Sequence, residues 1–354
     1  EKPNPDFLAA LAGASPLYIY RPAHYMRQFH EDFTTNSELQ KRVTTAKQRN
    51  WAALHNKMDN LYRNDNIDLP VLQPWVCISK SSSNRLRFKR NPFFHRIDPK
   101  GQQLPYIDEF IFGIASNKLI SAKTGTGEVD LQARYLRFDD YTFLKKGEDR
   151  SPYSTRLWTT AKGSHLALFP NLNHKNKVLR SIMQDVRFRR ALSMAVNRYE
   201  INQVIYYGLA IEGNNTVLPE SPLYKPYYRS QWAQLNLKSA NQLLDDMGLI
   251  KRDSRGIRLL PDGNPLNLII ETAGESTEQT DILELIHDSW LKIGIKIYSK
   301  PSQRNVFRNR IFSGETAISI WSGIENGLAS ANILFSISPI FSLTVIKSAK
   351  TWQG

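Results

Sequence analysis

The sequence predicts an α/β protein built as two bodies. Length, apolar content and the order of strand and helix patterns lead to that expectation. At 354 residues the chain is long for one domain, since domains run to about 150 residues. An apolar fraction of 41%, with 11% aromatic residues, is enough for sizeable cores and excludes a mostly disordered chain. After residue 180 the pattern alternates strand, helix, strand, as a sheet with helical crossovers requires.

The elements follow in order. Asp6 can cap a short apolar helix with Phe7, Leu8 and Leu11, ending near Gly13, and Pro16 and Pro22 then enforce an extended connection. Residues 37–63 are rich in Lys, Arg and Gln, with Leu39, Val43, Trp51, Leu54 and Leu61 spaced to face a core; they predict surface helices. From Leu69 the texture changes. Pro70, Pro74 and Pro92 punctuate Trp75-Val76-Cys77-Ile78 and Leu86-Arg87-Phe88, two strands separated by the polar turn 81–84, and 110–114 is a third strand. Asp185 is an N-cap, and Phe188, Ala191, Leu192, Ala195 and Val196 repeat at helical spacing. Ile201, Val204 and Ile205 continue that helix to Gly208, a left-handed stop. The Pro- and Tyr-rich stretch 219–228 reads as an ordered loop. A helix over 240–247 stops at Gly248, and 266–270 is a strand. Ile282, Leu285, Ile286 and Trp290 mark a helix ending at Gly294, with strands at 295–298 and 317–321.

No catalytic pattern emerges. The seven histidines form no HExxH and no i, i+4 pair beside a carboxylate, and there is no G-x-S-x-G turn. Cys77, the single cysteine, lies in an apolar strand and excludes a disulfide framework or a multi-cysteine metal site. Lys123-Thr124-Gly125-Thr126-Gly127 is glycine-rich but is not followed by GK[ST], so it is not a phosphate cradle of the usual kind. Asp245 and Asp246, adjacent on a helix, read as solvated-face acids. The expectation is a protein that is not an enzyme and carries no cofactor and no metal.

Forty-seven Lys and Arg against 33 Asp and Glu leave a net charge of +14, which invites a nucleic-acid reading. The spacing argues against it. Arg85, Arg87 and Lys89 share one face of a strand whose other face is Leu86 and Phe88, and Arg187 to Arg190 flank a helix start with an apolar far side. A basic solvated surface accounts for these segments, and no nucleic-acid partner is expected. The chain begins without a basic n-region or apolar h-region, so no signal peptide is expected within it. The longest charge-free stretch, 328–346, holds Ser330, Asn332, Ser336, Ser338, Pro339 and Ser342, too many polar groups and breakers for a membrane span.

Two segments resemble a known family. The first is Lys89-Arg90-Asn91-Pro92-Phe93-Phe94, then Tyr106-Ile107-Asp108 and Gly127-Glu128-Val129-Asp130. The second is Asp185-Val186-Arg187-Phe188-Arg189-Arg190-Ala191-Leu192-Ser193-Met194-Ala195-Val196-Asn197-Arg198, closed by Tyr207-Gly208. Asp262-Gly263-Asn264-Pro265-Leu266 and Ile293-Gly294-Ile295 follow in the same order. Together they resemble the family 5 extracellular solute-binding proteins, receptors of peptide-type ABC importers. The resemblance implies a two-lobed, class II periplasmic-binding-protein-like α/β fold that closes on a solute. It implies a chain incomplete at both ends, with residues 1–180 as the later part of lobe I and 181–354 as most of lobe II. It also implies a periplasmic or membrane-associated extracytoplasmic location, a monomer, and permease subunits in the membrane as partners.

The implied ligand is an oligopeptide, with an oligosaccharide as the alternative. Peptide-binding members place a Trp at the end of the strand that Trp321 closes, and an acid shortly after it. That acid is displaced here: Gly323 and Ile324 stand at the expected place, and Glu325, followed by Asn326, is the nearest candidate. Trp321, Glu325, Asn326, Tyr227 and Arg304 are therefore the expected ligand-binding residues, with Tyr224, Tyr227 and Tyr228 as further stacking surfaces for a sugar. The Asp98 to Tyr106 turn resembles the branch that includes oligosaccharide receptors.

Overall fold

The computed structural model describes residues 21–61, 65–79, 83–157 and 162–324, together with the strand Leu343–Ile346. Two units divide the chain, Ser15–Leu119 and the larger one from Ile120 onward. The helix expected at 6–13 lies outside the described residues.

In the first unit α1 (Ala23–Met26), α2 (Asn36–Thr45) and α3 (Trp51–Met58) gather Met26, Leu39, Val43 and Leu54 with Phe29 and Leu69 into a small buried cluster. Asn50 starts α3 by accepting the Ala53 amide at 2.9 Å. Strands β1 (Trp75–Cys77), β2 (Arg85–Arg90) and β3 (Glu109–Gly113) form an antiparallel sheet in that order. The register pairs Leu86 with Phe112 and Phe88 with Phe110, so the apolar side chains share one face. Arg85, Arg87 and Lys89 take the other, where Arg87 bonds Glu109 at 2.5 Å. The Asn-Pro motif is scaffolding. Buried Asn91 donates to the Val71 and Gln73 carbonyls at 3.2 and 2.9 Å and so ties the strand end to the preceding loop.

The second unit takes in most of α4 (Asn117–Gly125), then α5 (Tyr141–Gly147), and is organised on a five-stranded sheet. Its strands are β4 (Leu166–Pro170), β5 (Asn267–Thr272), β6 (Lys296–Pro301), β7 (Ile318–Trp321) and β8 (Leu343–Ile346), in the order β6-β5-β7-β4-β8. β5 is parallel to β6 and β7, while β4 runs antiparallel to β7 and β8. The sheet thus takes in a strand that precedes residue 181. Helices α6 (Lys177–Gln184), α7 (Val186–Met194), α8 (Arg198–Tyr206), α9 (Pro226–Ser230), α10 (Leu237–Asp246), α11 (Thr277–Leu291) and α12 (Arg304–Phe312) connect the strands. The core joins Leu192, Ala195 and Val196 to Leu268, Ile270, Ile286, Ile318 and Trp290, whose indole N–H donates to the Leu192 carbonyl at 3.1 Å.

Two expectations are corrected. The single helix over 185–208 is two helices, because Asn197 caps a new one by accepting the Glu200 amide at 3.3 Å. Asp245 is not simply a solvated acid. It pairs at 2.6 Å with Arg258, whose side chain is 1% exposed and also donates to the Ile293 carbonyl and the Asn241 side chain. Arg198 is likewise buried, and it donates to the Ser193 and Ala233 carbonyls, which ties α8 back to the end of α7 and to the segment beyond α9. Burial pulls its pKa down to about 10, so it stays charged at neutral pH.

Candidate functional site

The parallel strands β5, β6 and β7 end at one edge of the sheet, and β4, antiparallel to β7, begins there. In open α/β sheets ligands bind outside the carboxyl ends of the strands. Trp321 is the last residue of β7 and stands opposite Ala167 of β4. Helix α12 lays two side chains one turn apart against it. The buried Phe307 ring lies 6.0 Å from the indole at an interplanar angle of 30°, and the Arg304 guanidinium sits 5.2 Å from the ring centroid. Arg304 also faces Glu275 at 3.6 Å. Two of the five expected residues, Trp321 and Arg304, are thereby brought together, as a cation on an aromatic face.

Beyond β7 the backbone is pinned from two sides. The Gly323 amide donates to the Ser164 carbonyl at 3.0 Å, the Gly163 amide to the Ile324 carbonyl at 2.7 Å, and the Ile324 amide to Asn215 Oδ1 at 2.9 Å. A Cβ at Gly323 would collide with Ser164 Oγ and Asn215 Oδ1, and one at Gly163 with the Thr216 carbonyl. Both positions need glycine for close backbone approach.

Tyr227 stands on a different element. It is exposed on α9, packed against Tyr228 with centroids 4.5 Å apart, and its hydrogen bond to Tyr228 raises its pKa. The segment 213–216 reaches both places. Asn214 bonds the Tyr228 and Arg229 backbone, while Asn215 bonds Ile324. Glu325 and Asn326 lie outside the described residues.

A set of polar residues at the same edge has no local signature in the sequence. His165, just ahead of β4, holds Nε2 3.1 Å from Glu278 Oε1 in the first turn of α11. Tyr206 donates its hydroxyl to the same carboxylate at 2.6 Å. Burial penalises the Glu278 carboxylate, but the charge and hydrogen bond of His165, the Tyr206 hydrogen bond and the Arg137 charge together outweigh it, and the pKa falls below the ordinary range. Burial and the Glu278 charge push Tyr206 well above the usual phenol value. Among the described residues no group of three or more His, Cys, Asp or Glu is placed to hold a metal ion. No helix among them is long and apolar enough to cross a membrane.

The α/β sheet thus carries an aromatic and charged rim at its strand ends, formed by Trp321 and Arg304. Residues 1–338 match the bacterial extracellular solute-binding proteins, family 5 (middle region), and the chain belongs to that family. It is similar to a periplasmic alpha-galactoside-binding protein of Rhizobium meliloti (strain 1021), with 20% identity over 69% of this chain. It is also similar to a probable ABC transporter-binding protein of Deinococcus radiodurans, with 27% identity over 60% of this chain. The chain spans 37% and 36% of those two proteins. Among solved structures, the oligopeptide-binding protein OppA is 31% identical, with 90% of this chain matching 51% of that one at a TM-score of 0.52. The oligopeptide-binding protein of Thermus thermophilus, complexed with a pentapeptide, is 18% identical, covering 87% and 53% of the two chains at 0.64. MelB of Agrobacterium fabrum, in complex with stachyose, is 16% identical, covering 86% and 44% at 0.64. The fold is that of class II periplasmic binding proteins.

Proposed function

We propose that this protein is the solute-binding component of a bacterial ABC importer, which captures an oligopeptide between two lobes outside the cytoplasm and delivers it to the membrane permease. The observation that carries the peptide reading is the 31% identity to OppA along 90% of this chain. In this reading the second lobe begins with β4, ahead of residue 181, and the earlier residues are the later part of lobe I. The protein works as a monomer, with no cofactor and no nucleic-acid partner. Trp321 supplies an aromatic wall and Arg304 a cation. Glu325, with Asn326 beside it, neutralises the peptide's amino terminus, and Tyr227 lines the rim.

An oligosaccharide is the second reading, favoured by the 20% identity to the alpha-galactoside-binding protein. Here stacking on Trp321 and the Tyr227–Tyr228 pair would dominate. Two substitutions separate the readings. Removing one partner of a buried charge pair costs about 2–5 kcal/mol, so Glu325→Gln should weaken a free-amino-terminus peptide by roughly thirtyfold or more. For a neutral saccharide Trp321→Ala should cause the larger loss, with Glu325→Gln nearly silent and ionic strength of little effect. A Glu325→Gln variant that binds peptide as well as the parent protein would remove Glu325 from the site.

A further inference from the structure

Segments far apart in sequence meet around one imidazole at the edge that carries Trp321. His165 approaches Glu278 of α11 at 3.1 Å, and Tyr206 of α8 donates to that carboxylate at 2.6 Å and sets its ring edge-on to the imidazole, centroids 5.8 Å apart. From the segment ahead of α5, Arg137 donates to Thr277, the neighbour of Glu278, and is itself paired with Asp139. Lys162 is the other charge acting on His165. The same short segment carries the candidate site on its other side. Gly163 and Ser164 hold the backbone of Gly323 and Ile324, and Ala167 stands opposite Trp321. Only one or two residues separate a titratable ion pair from the hydrogen bonds that fix the Trp321 end of β7.

We propose that the His165–Glu278 pair is a proton-dependent latch that positions the Trp321 end of the site, holding it while His165 is protonated and releasing it when the proton is lost. This rests on the reading of that edge as the solute site. His165 is a positioning residue here and touches no solute.

The sign follows from the groups around the ring. The imidazole is packed edge-on against Tyr206 yet 42% exposed; desolvation would lower its pKa, but the charge and hydrogen bond of Glu278 together outweigh it and raise the pKa from its ordinary value. Stabilisation from a raised histidine is fully present below its unfolded value and is lost as pH rises through the folded one. Glu278 is held below its ordinary range and Tyr206 well above its own, so His165 is the member of this trio whose ordinary range lies nearest neutrality. The latch is engaged in mild acid and released on the alkaline side.

The test uses the full natural chain, with His165→Gln and Glu278→Gln, at about pH 6 and about pH 9. Two readouts are taken: amide hydrogen exchange at Gly163 and Gly323, corrected for the intrinsic pH dependence, and calorimetric affinity for a tripeptide pool and a galacto-oligosaccharide pool. In the parent protein, corrected exchange should rise and affinity for the bound pool should fall about fivefold or more between the two conditions. Both variants should be flat. If His165→Gln does not fold, the parent and Glu278→Gln form the comparison. Exchange that responds to pH while neither pool binds would keep the latch and reject the solute reading. Exchange with the same pH dependence in parent and variants overturns the latch. So does an affinity that ignores pH while the exchange responds.

Discussion

Arg258 and Asp245 lie 13 residues apart, yet the guanidinium is buried and bound to the carboxylate, the Ile293 carbonyl and the Asn241 side chain, so that one residue joins α10 to the end of α11. From the sequence, Asp245 looks like any charged residue on a solvated helix face, since nothing local marks its partner. A hydrogen bond to a charged group contributes about 1.5–3 kcal/mol, and Asp245→Ala should lower stability by that amount, read as a shift in the urea midpoint. No shift would mean that Arg258 is satisfied by its carbonyl partners alone. At the candidate site the same contrast holds. Trp321 and Arg304 are legible because one closes a predicted strand and the other opens the helix beside it. The His165–Glu278 pair spans 113 residues and the Tyr206–Glu278 bond 72, so neither leaves a local pattern.

Secondary-structure elements were legible where their periodicity was strict. The strands at β1, β2, β3, β5, β6 and β7 follow their apolar runs, and α11 follows Ile282, Leu285, Ile286 and Trp290. β4 escaped because Leu166, Ala167 and Leu168 are all buried, and a strand covered on both faces has no alternation to read. The break between α7 and α8 escaped for a related reason. Ala195 and Val196 remain buried at the junction, so the helical spacing of apolar residues continues through the turn. Two substitutions test this account by chemical denaturation. Leu192→Ala, at a fully buried position, should cost about 2–5 kcal/mol. Asn197→Ala, removing the cap of α8, should cost about 1 kcal/mol, whereas an interior position of one continuous helix would lose little or gain.

At the scale of the whole molecule, the second unit presents a sheet whose strand ends carry an indole under a guanidinium, a pinned glycine backbone and a histidine–carboxylate pair. Membership of the solute-binding family gives the proposed binding role its biological frame. The most direct test is a thermal-shift titration of the full natural chain against a tripeptide pool, the same pool N-acetylated, and a galacto-oligosaccharide pool. A ligand at 100 times its Kd adds about 2.7 kcal/mol, enough to move Tm by a few degrees. The predicted result is a concentration-dependent rise with the free peptides that N-acetylation largely abolishes. A rise with the oligosaccharides alone would overturn the peptide reading, and no shift with any pool at millimolar concentration would contradict the proposal that this protein captures a solute of either class.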